Sequence, residues 1–310
     1  MYELLILAAS IGFSWFSGFA PDDGSQLLRV HCYSTVDMLT LKWKAEAVID
    51  ESERNEDHAW AGVYSRGGLG LSDRMPWNIL AFAPRKGFVC SSHIHGGVPT
   101  ANDMGFGQLE EKDGSLFLKW AFPNSELATT IGNRFRPVRW GDQRYLIAEK
   151  EMLNFCNAVN SGEAPKHGVA SDFFLREGDE KKQAAGLPAL PDPWRGHLLE
   201  RPLSAKIISV SAAPESQHNV ENPHERMVTL NVGKKQGVFV GMKFHRQELD
   251  IPFHVFRVSR VGDSTSEAES FLLYNYESVV SKPPPTVGWE LSTISSEGSA
   301  NRQKDDGAPR

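Results

Sequence analysis

Two histidines in the stretch SSHIHGG, His93 and His95, stand one residue apart. On a strand, residues i and i+2 share a face, so both imidazoles could reach one metal ion of the zinc type. A third ligand would have to come from elsewhere, with His58 and Asp103 as candidates. No H-E-x-x-H and no clustered His/Asp set accompanies them, and the opposing reading makes them surface or turn histidines. Tryptophan offers a different chemistry, a stacking platform for sugars or peptides. Trp43, Trp60, Trp77, Trp120 and Trp140 concentrate in the first half of the chain. Trp43 and Trp120 fall on apolar faces and are expected in the core. Trp60 and Trp77 lie beside loops and are the ligand-binding candidates.

Other reaction chemistry is poorly represented. SRGGLGLSD fits neither G-x-G-x-x-G nor G-x-x-x-x-G-K-[ST], and it lacks the following helix on which those phosphate sites depend. A nucleophile elbow requires G-x-S-x-G, which does not occur. Asp73, Asp103 and Asp142 are plentiful carboxylates, but no pair is nominated for glycoside hydrolysis. Cys32, Cys90 and Cys156 form no C-x-x-C pair; they read as buried thiols, or as one disulfide and one thiol in an oxidising compartment. No residue set requires a cofactor.

These residues must be positioned by strands. LTLKWKAEAVID alternates Leu39, Leu41, Trp43, Ala45, Ala47 and Ile49 with polar residues, which predicts a half-buried antiparallel strand. AWAGVYS, NILAFAP, GFVCSSHIH and the hairpin around Asp113-Gly114 predict further strands, and RPVRWGDQRYLI predicts a hairpin turning at Gly141-Asp142. One helix is expected in AEKEMLNFCNAVNSG, where Met152, Phe155, Cys156 and Val159 form a single apolar stripe ending at Gly162. GLPALPDPWRGHLLERP is rich in proline, which lacks the donor a sheet interior requires, and reads as a connection. Beyond it, SAKIISVSA, RMVTLNVG, VGMKFHRQ, FHVFRVSRVGD, SEAESFLL and VGWELST predict six more strands.

The chain has 310 residues, room for two domains, and a formal net charge of −6 with a pI near 5.9. That balance argues against a nucleic-acid partner, which usually meets a basic face. Residues 1–20 are apolar from Leu4 onward and close on small residues, the pattern of an export signal or an uncleaved anchor. Glu3 and the lack of an early Lys or Arg keep open a third reading, the first buried element of a cytoplasmic protein. No second segment approaches the length of a membrane helix.

In NVGKKQGVFVGMKF, Gly233 is expected to end a strand and Gly237 to permit a reversal. Val238 then plugs inward and Gly241 opens the next strand. This run, with Ser266-Glu267-Ala268 closing a later strand, resembles the small β-barrel modules of flagellar assembly protein T and rod-shape-determining protein C. The resemblance spans about 40 residues; it implies a barrel and a bacterial envelope setting, and no catalytic residue. The stretch from RWGDQRYLIAEKEMLNF to GLPALP is similar to a family of uncharacterised exported bacterial proteins.

The expected fold is mainly β (α+β), an antiparallel β-rich N-terminal domain with one packed helix, plus a C-terminal small β-barrel. The boundaries are 1–20 for the leader, 28–162 for the first domain and 163–202 for the connection. The barrel follows over 203–293, with a disordered tail over 294–310. The expected role is binding or structural, in the periplasm or outside the cell, with an envelope protein or wall component as partner. The alternative is a hydrolase or carbohydrate-binding protein with its site near His93, His95 and Trp77.

Overall fold

The computed structural model describes residues 35–55, 57–67, 76–94, 103–121, 125–162, 173–212, 226–246, 254–272 and 283–295. The leader, Cys32, Asp73, the glycine-rich SRGGLGLSD run beyond Gly67, His95 and the tail after Ser295 lie outside these residues. The fold is mainly β: antiparallel strands close into two barrels. The chain divides into two compact units, Met1–Pro137 with His167–Glu177, and Val138–Lys166 with Gly178–Arg310.

The first described element overturns an expectation. LTLKWKAEAVID lies in a helix, α1 (Thr35–Arg54), rather than in a strand. Alternation over these residues coexists with a second periodicity: Leu41, Ala45, Val48, Ile49 and Ser52 share one helical stripe. Lys, Ala, Glu and Leu, all good helix formers, fill the intervening positions. Val48 is buried, whereas Trp43, assigned to the core by alternation, is 71% exposed. The stripe packs on Ala81, Ala83 and Val89, outside the first barrel.

That barrel runs in chain order, β1 (Gly62–Arg66), β2 (Pro76–Ala83), β3 (Gly87–Ile94), β4 (Met104–Lys112), β5 (Ser115–Trp120), β6 (Arg134–Trp140), β7 (Gln143–Ala148) and β8 (Phe174–Arg176). A short helix, α2 (Ser125–Ile131), joins β5 to β6. The hairpins fall where turn chemistry puts them. Asp113 and Gly114 take φ of 51° and 68°, with Lys112 opposite Ser115, the geometry a two-residue reversal requires. Aromatic edges fill the middle of the first unit's interior: Phe82 meets Phe88 at 6.2 Å and Phe135 at 6.1 Å, and Phe135 meets Phe174 at 5.8 Å. β4 passes close to this core only because Gly107 has no side chain. A Cβ there would overlap the Lys119 carbonyl oxygen and stand 2.7 Å from Phe88 Cε1. Gly107→Ala is expected to destabilise the first unit by about 1–3 kcal/mol, the range for overpacking, read as a lower urea midpoint with an unchanged slope.

In the second unit, β9 (Ser204–Ala212), β10 (Arg226–Leu230), β11 (Lys243–Arg246), β12 (His254–Val261), β13 (Ser266–Leu272) and β14 (Glu290–Ser292) close in the order β10-β13-β12-β11-β14-β9. Ile207, Leu230, Val238, Phe244, Phe256 and Val258 are among its core. The three glycines before β11 serve three purposes. Gly233 is extended; a Cβ there would stand 2.5 Å from the Gly262 oxygen and 2.7 Å from the Thr265 nitrogen. A 3₁₀ turn, Lys234–Gln236, follows, and Gly237 takes φ of +87° to reverse the chain. Val238 then enters the core, as expected. Gly241, also at φ of +87°, faces Leu153, whose Cδ2 would lie 2.5 Å from a Cβ.

Leu153 belongs to α3 (Met152–Ser161), which forms where expected, with its stripe buried and Gly162 closing it in the left-handed region. Its grouping differs from the expected boundary at 162, because α3 is held to the second barrel by asparagines flanking the apolar stripe. Asn157 donates from Nδ2 to the Gly241 oxygen at 2.9 Å and accepts at Oδ1 from the Lys243 N–H at 3.1 Å. Asn160 likewise binds the His197 oxygen and the Leu199 N–H, both at 2.9 Å. Each amide thus presents a donor and an acceptor, as a neighbouring strand would. The connection over 163–202 also differs from expectation, since β8 lies inside it and pairs with β1.

Candidate functional site at one end of the first barrel

The register of the first unit brings several polar residues to one end of the barrel. Arg66 ends β1 opposite Asn78, and Asn78 on β2 stands opposite Ser92 on β3. At the same end β4 begins, β5 finishes at Trp120, α2 follows, and β8 starts at Phe174. Strand alternation sets which face each residue takes. Asn78 is in phase with the core residues Leu80 and Phe82, and Ser92 with Phe88 and Cys90. Trp120 is in phase with Leu116 and Leu118. The interior is therefore apolar through its middle and polar at this end.

Each polar group has a defined setting. The Arg66 guanidinium lies over the Phe174 ring at 4.6 Å and donates to the Thr130 carbonyl of α2 at 3.0 Å. Trp120 sits edge-on to Phe88 at 4.9 Å in a seat opened by Gly105, where a Cβ would stand 2.6 Å from the indole. Leu127 and Ile131 of α2 are buried. Two atoms lack hydrogen-bond partners despite burial: Asn78 Oδ1, on a residue 4% exposed, and the Trp120 Nε1–H. One is an unmatched acceptor and the other an unmatched donor. Cys90 contributes no nucleophile, because burial pushes its thiol pKa far above the ordinary value.

The residues singled out from the sequence are distributed differently. Trp77 and His93 face each other in the β2–β3 register, one position from Asn78 and Ser92, so this rim carries two of the four candidates. His95 lies outside the described residues. Trp60 is no stacking platform: it is 6% exposed, donates to Glu111 Oε2 at 2.9 Å and packs edge-on against His58 at 4.5 Å. Those contacts employ both residues in packing. Among the described residues, no three of His, Cys, Asp or Glu converge as a metal would require. The sequence reading missed Asn78 as a polar residue of the barrel interior. The signal was Asn78 itself, a polar residue in the inward phase of WNILAFA.

The second unit concentrates its buried charge elsewhere. Asp179 accepts from Arg144 Nε and Nη2, both at 2.9 Å, from the Arg144 backbone N–H at 3.0 Å and from Lys182 Nζ at 2.6 Å. Burial alone would raise its pKa, but the hydrogen bonds and charges of Arg144 and Lys182 outweigh burial and hold it below the usual carboxylate value. The result is a clasp. Gln183 accepts from the Asp142 N–H at 3.0 Å and Gly186 from the Trp140 indole at 2.8 Å, fixing the segment after β8 over the β6–β7 turn. His245 on β11 is 8% exposed, its Nδ1 lacks a hydrogen-bond partner, and burial followed by the Lys243 charge lowers its pKa to about 4. The Cys156 thiol on α3 is pushed up to about 12 by burial. Arg246 stacks on Trp289 at 3.7 Å, with His254 edge-on to the same indole at 5.2 Å.

No protein family, curated protein or solved structure matches the chain.

Proposed function

We propose that this is an exported or envelope-associated bacterial protein with a binding or structural role, and not a catalyst. The observation that carries the binding reading is the polar end of the first barrel, where Arg66, Asn78 and Ser92 are successive register partners at one end of an otherwise apolar interior. Mouths of barrels with a few convergent polar groups are common ligand sites. The buried ionic cluster at Asp179 serves a structural clasp, which supports a role without acid–base chemistry. The envelope setting is supported by the apolar residues 1–20 and by the sequence resemblance of the Gly233–Met242 run and Ser266-Glu267-Ala268 to envelope modules. No described helix is long and apolar enough to cross a membrane; this reading assigns any membrane anchoring to the apolar N-terminal segment. Its partner would be another envelope protein or a component of the wall.

Cell fractionation of the full-length chain with a C-terminal tag tests this. Recovery in the periplasmic, membrane or secreted fraction is expected; recovery in the cytosol alone with residues 1–20 intact would refute the envelope reading. The second reading, a hydrolase or carbohydrate-binding protein with its site in the first domain, is favoured by one observation. Trp77 and His93 are register partners on the rim of the same polar end.

A further inference from the structure

We infer that the outer face of α1 is a self-association surface, on which a second copy of this chain lays its own α1 antiparallel, with Trp43 at the centre of the contact. This goes beyond the binding reading and holds wherever the protein resides.

Helix geometry places the residues. With 3.6 residues per turn, Trp43 lies diametrically opposite the stripe of Leu41, Ala45, Val48 and Ser52 that α1 turns inward. Its indole is 71% exposed, the largest apolar side chain that the described residues present to solvent. On the same face stand the exposed Glu46 and Asp50 and the half-buried Ala47. Lys42 borders this face on the flank that also holds Glu46 and Asp50. Among the described residues, no ion pair holds Lys42, Glu46 or Asp50. Lys44, on the opposite flank, is drawn over the Phe106 ring at 5.9 Å.

Charge decides what covers the indole. The face carries a cation toward its N-terminal end and acids toward its C-terminal end, so it complements itself when turned end for end. A two-fold axis level with Ala45 sets Trp43 of one copy over Ala47 of the other, large residue against small. Two-fold symmetry also brings the same flank of each helix together, which lays Lys42 of one copy between Glu46 and Asp50 of the other. A parallel pair would instead set Trp43 against Trp43 and Lys42 against Lys44. An anionic lipid surface would meet Glu46 and Asp50 beside the indole, like charge against like. One helix face covers less than the roughly 800 Å² per partner of a stable complex, so the pair is weak, with a Kd on the order of 100 μM.

Sedimentation equilibrium of the purified full-length protein, from well below to well above that concentration, tests this. A monomer–dimer equilibrium is expected for the wild type. Trp43→Ala removes an exposed side chain, so the urea midpoint should stay close to wild type while association weakens at least about tenfold. Lys42→Glu and Glu46→Lys are each expected to weaken association several-fold. A one-to-one mixture of these two variants is expected to associate more strongly than either alone, because each then offers the charge the other lacks. No effect confined to one helix produces that recovery. If Trp43→Ala does not fold, the charge variants decide. A monomer at every concentration, a dimer that survives Trp43→Ala unchanged, or a mixture no stronger than its components would overturn the inference. So would a monomer that binds phosphatidylglycerol vesicles through Trp43, which would assign the face to lipid. None of these outcomes bears on where the protein resides, which fractionation decides separately.

Discussion

Asp179→Ala is expected to lower the stability of the second unit by about 3 kcal/mol, the low end of the range for breaking a buried ion pair from one side. The carboxylate is 1% exposed and accepts four hydrogen bonds, three of them from Arg144. Removing it leaves two cations drawn together with nothing between them. The low end applies because Arg144 and Lys182 side chains are 27% and 42% exposed and can turn toward water. Asp179→Asn retains one carbonyl acceptor without the charge and is expected to fall between wild type and alanine. Arg144→Ala strands the same carboxylate with Lys182 alone, so the double variant should cost less than the sum of the singles. Urea unfolding followed by Trp140 fluorescence reads the effect close to its source, since that indole is bonded to the clasped segment through the Gly186 carbonyl. A loss under about 1 kcal/mol would mean that the clasp is held by Gln183 and Gly186 rather than by charge.

How far the fold was legible depended on the separation between interacting residues. Strands β9 to β14 were all recognisable because turn residues bound each one and alternation inside each runs cleanly. β9 coincides with SAKIISVSA. The Asp113-Gly114 and Gly141-Asp142 reversals and the α3 stripe are equally local signals. α1 was misread because eleven residues can satisfy two periodicities at once, and only what packs against Val48 and leaves Trp43 exposed separates them. The anchoring of α3 was invisible for a different reason. Asn157 finds its partners 84 and 86 positions away, and an asparagine on a helix flank reads as a solvated residue until a strand edge is placed beside it. The candidate site shares that difficulty. Arg66, Asn78 and Ser92 come together only through two successive registers, whereas His93 and His95 drew notice by adjacency alone.

His245 makes the second unit sensitive to mild acid. In the unfolded chain its imidazole takes up a proton near pH 6.5; in the folded protein, buried on β11, it does so only near pH 4. The folded state therefore binds fewer protons between these values, and stability must fall as the pH falls through that window. Above about pH 6.5 both states are neutral and the contribution is complete; below about pH 4 both are charged and the loss has levelled off. A displacement of this size corresponds to about 3 kcal/mol at the plateau, as an order of magnitude. The register partners of His245 are Val255 on β12 and Ser292 on β14, and the charges on its own strand, Lys243 and the adjacent Arg246, are both positive. Arg257, opposite Lys243, is paired with Glu269 at 3.4 Å, and α3, whose Asn157 bonds to the Lys243 N–H, carries no acidic side chain. Asp179 behaves oppositely in position: its carboxyl is held below the ordinary range, so its contribution persists through mild acid and is lost only as pH falls through that lowered value. Acid unfolding should thus come in two stages, the first belonging to His245. Urea midpoints measured from pH 7.5 to pH 3.5 for wild type and His245→Leu isolate it, because the other histidines cancel in the difference. The wild type is expected to lose stability relative to the variant between pH 6.5 and 4 and to run parallel to it outside that window; parallel curves throughout would show that the folded protein charges His245 as readily as the unfolded chain does.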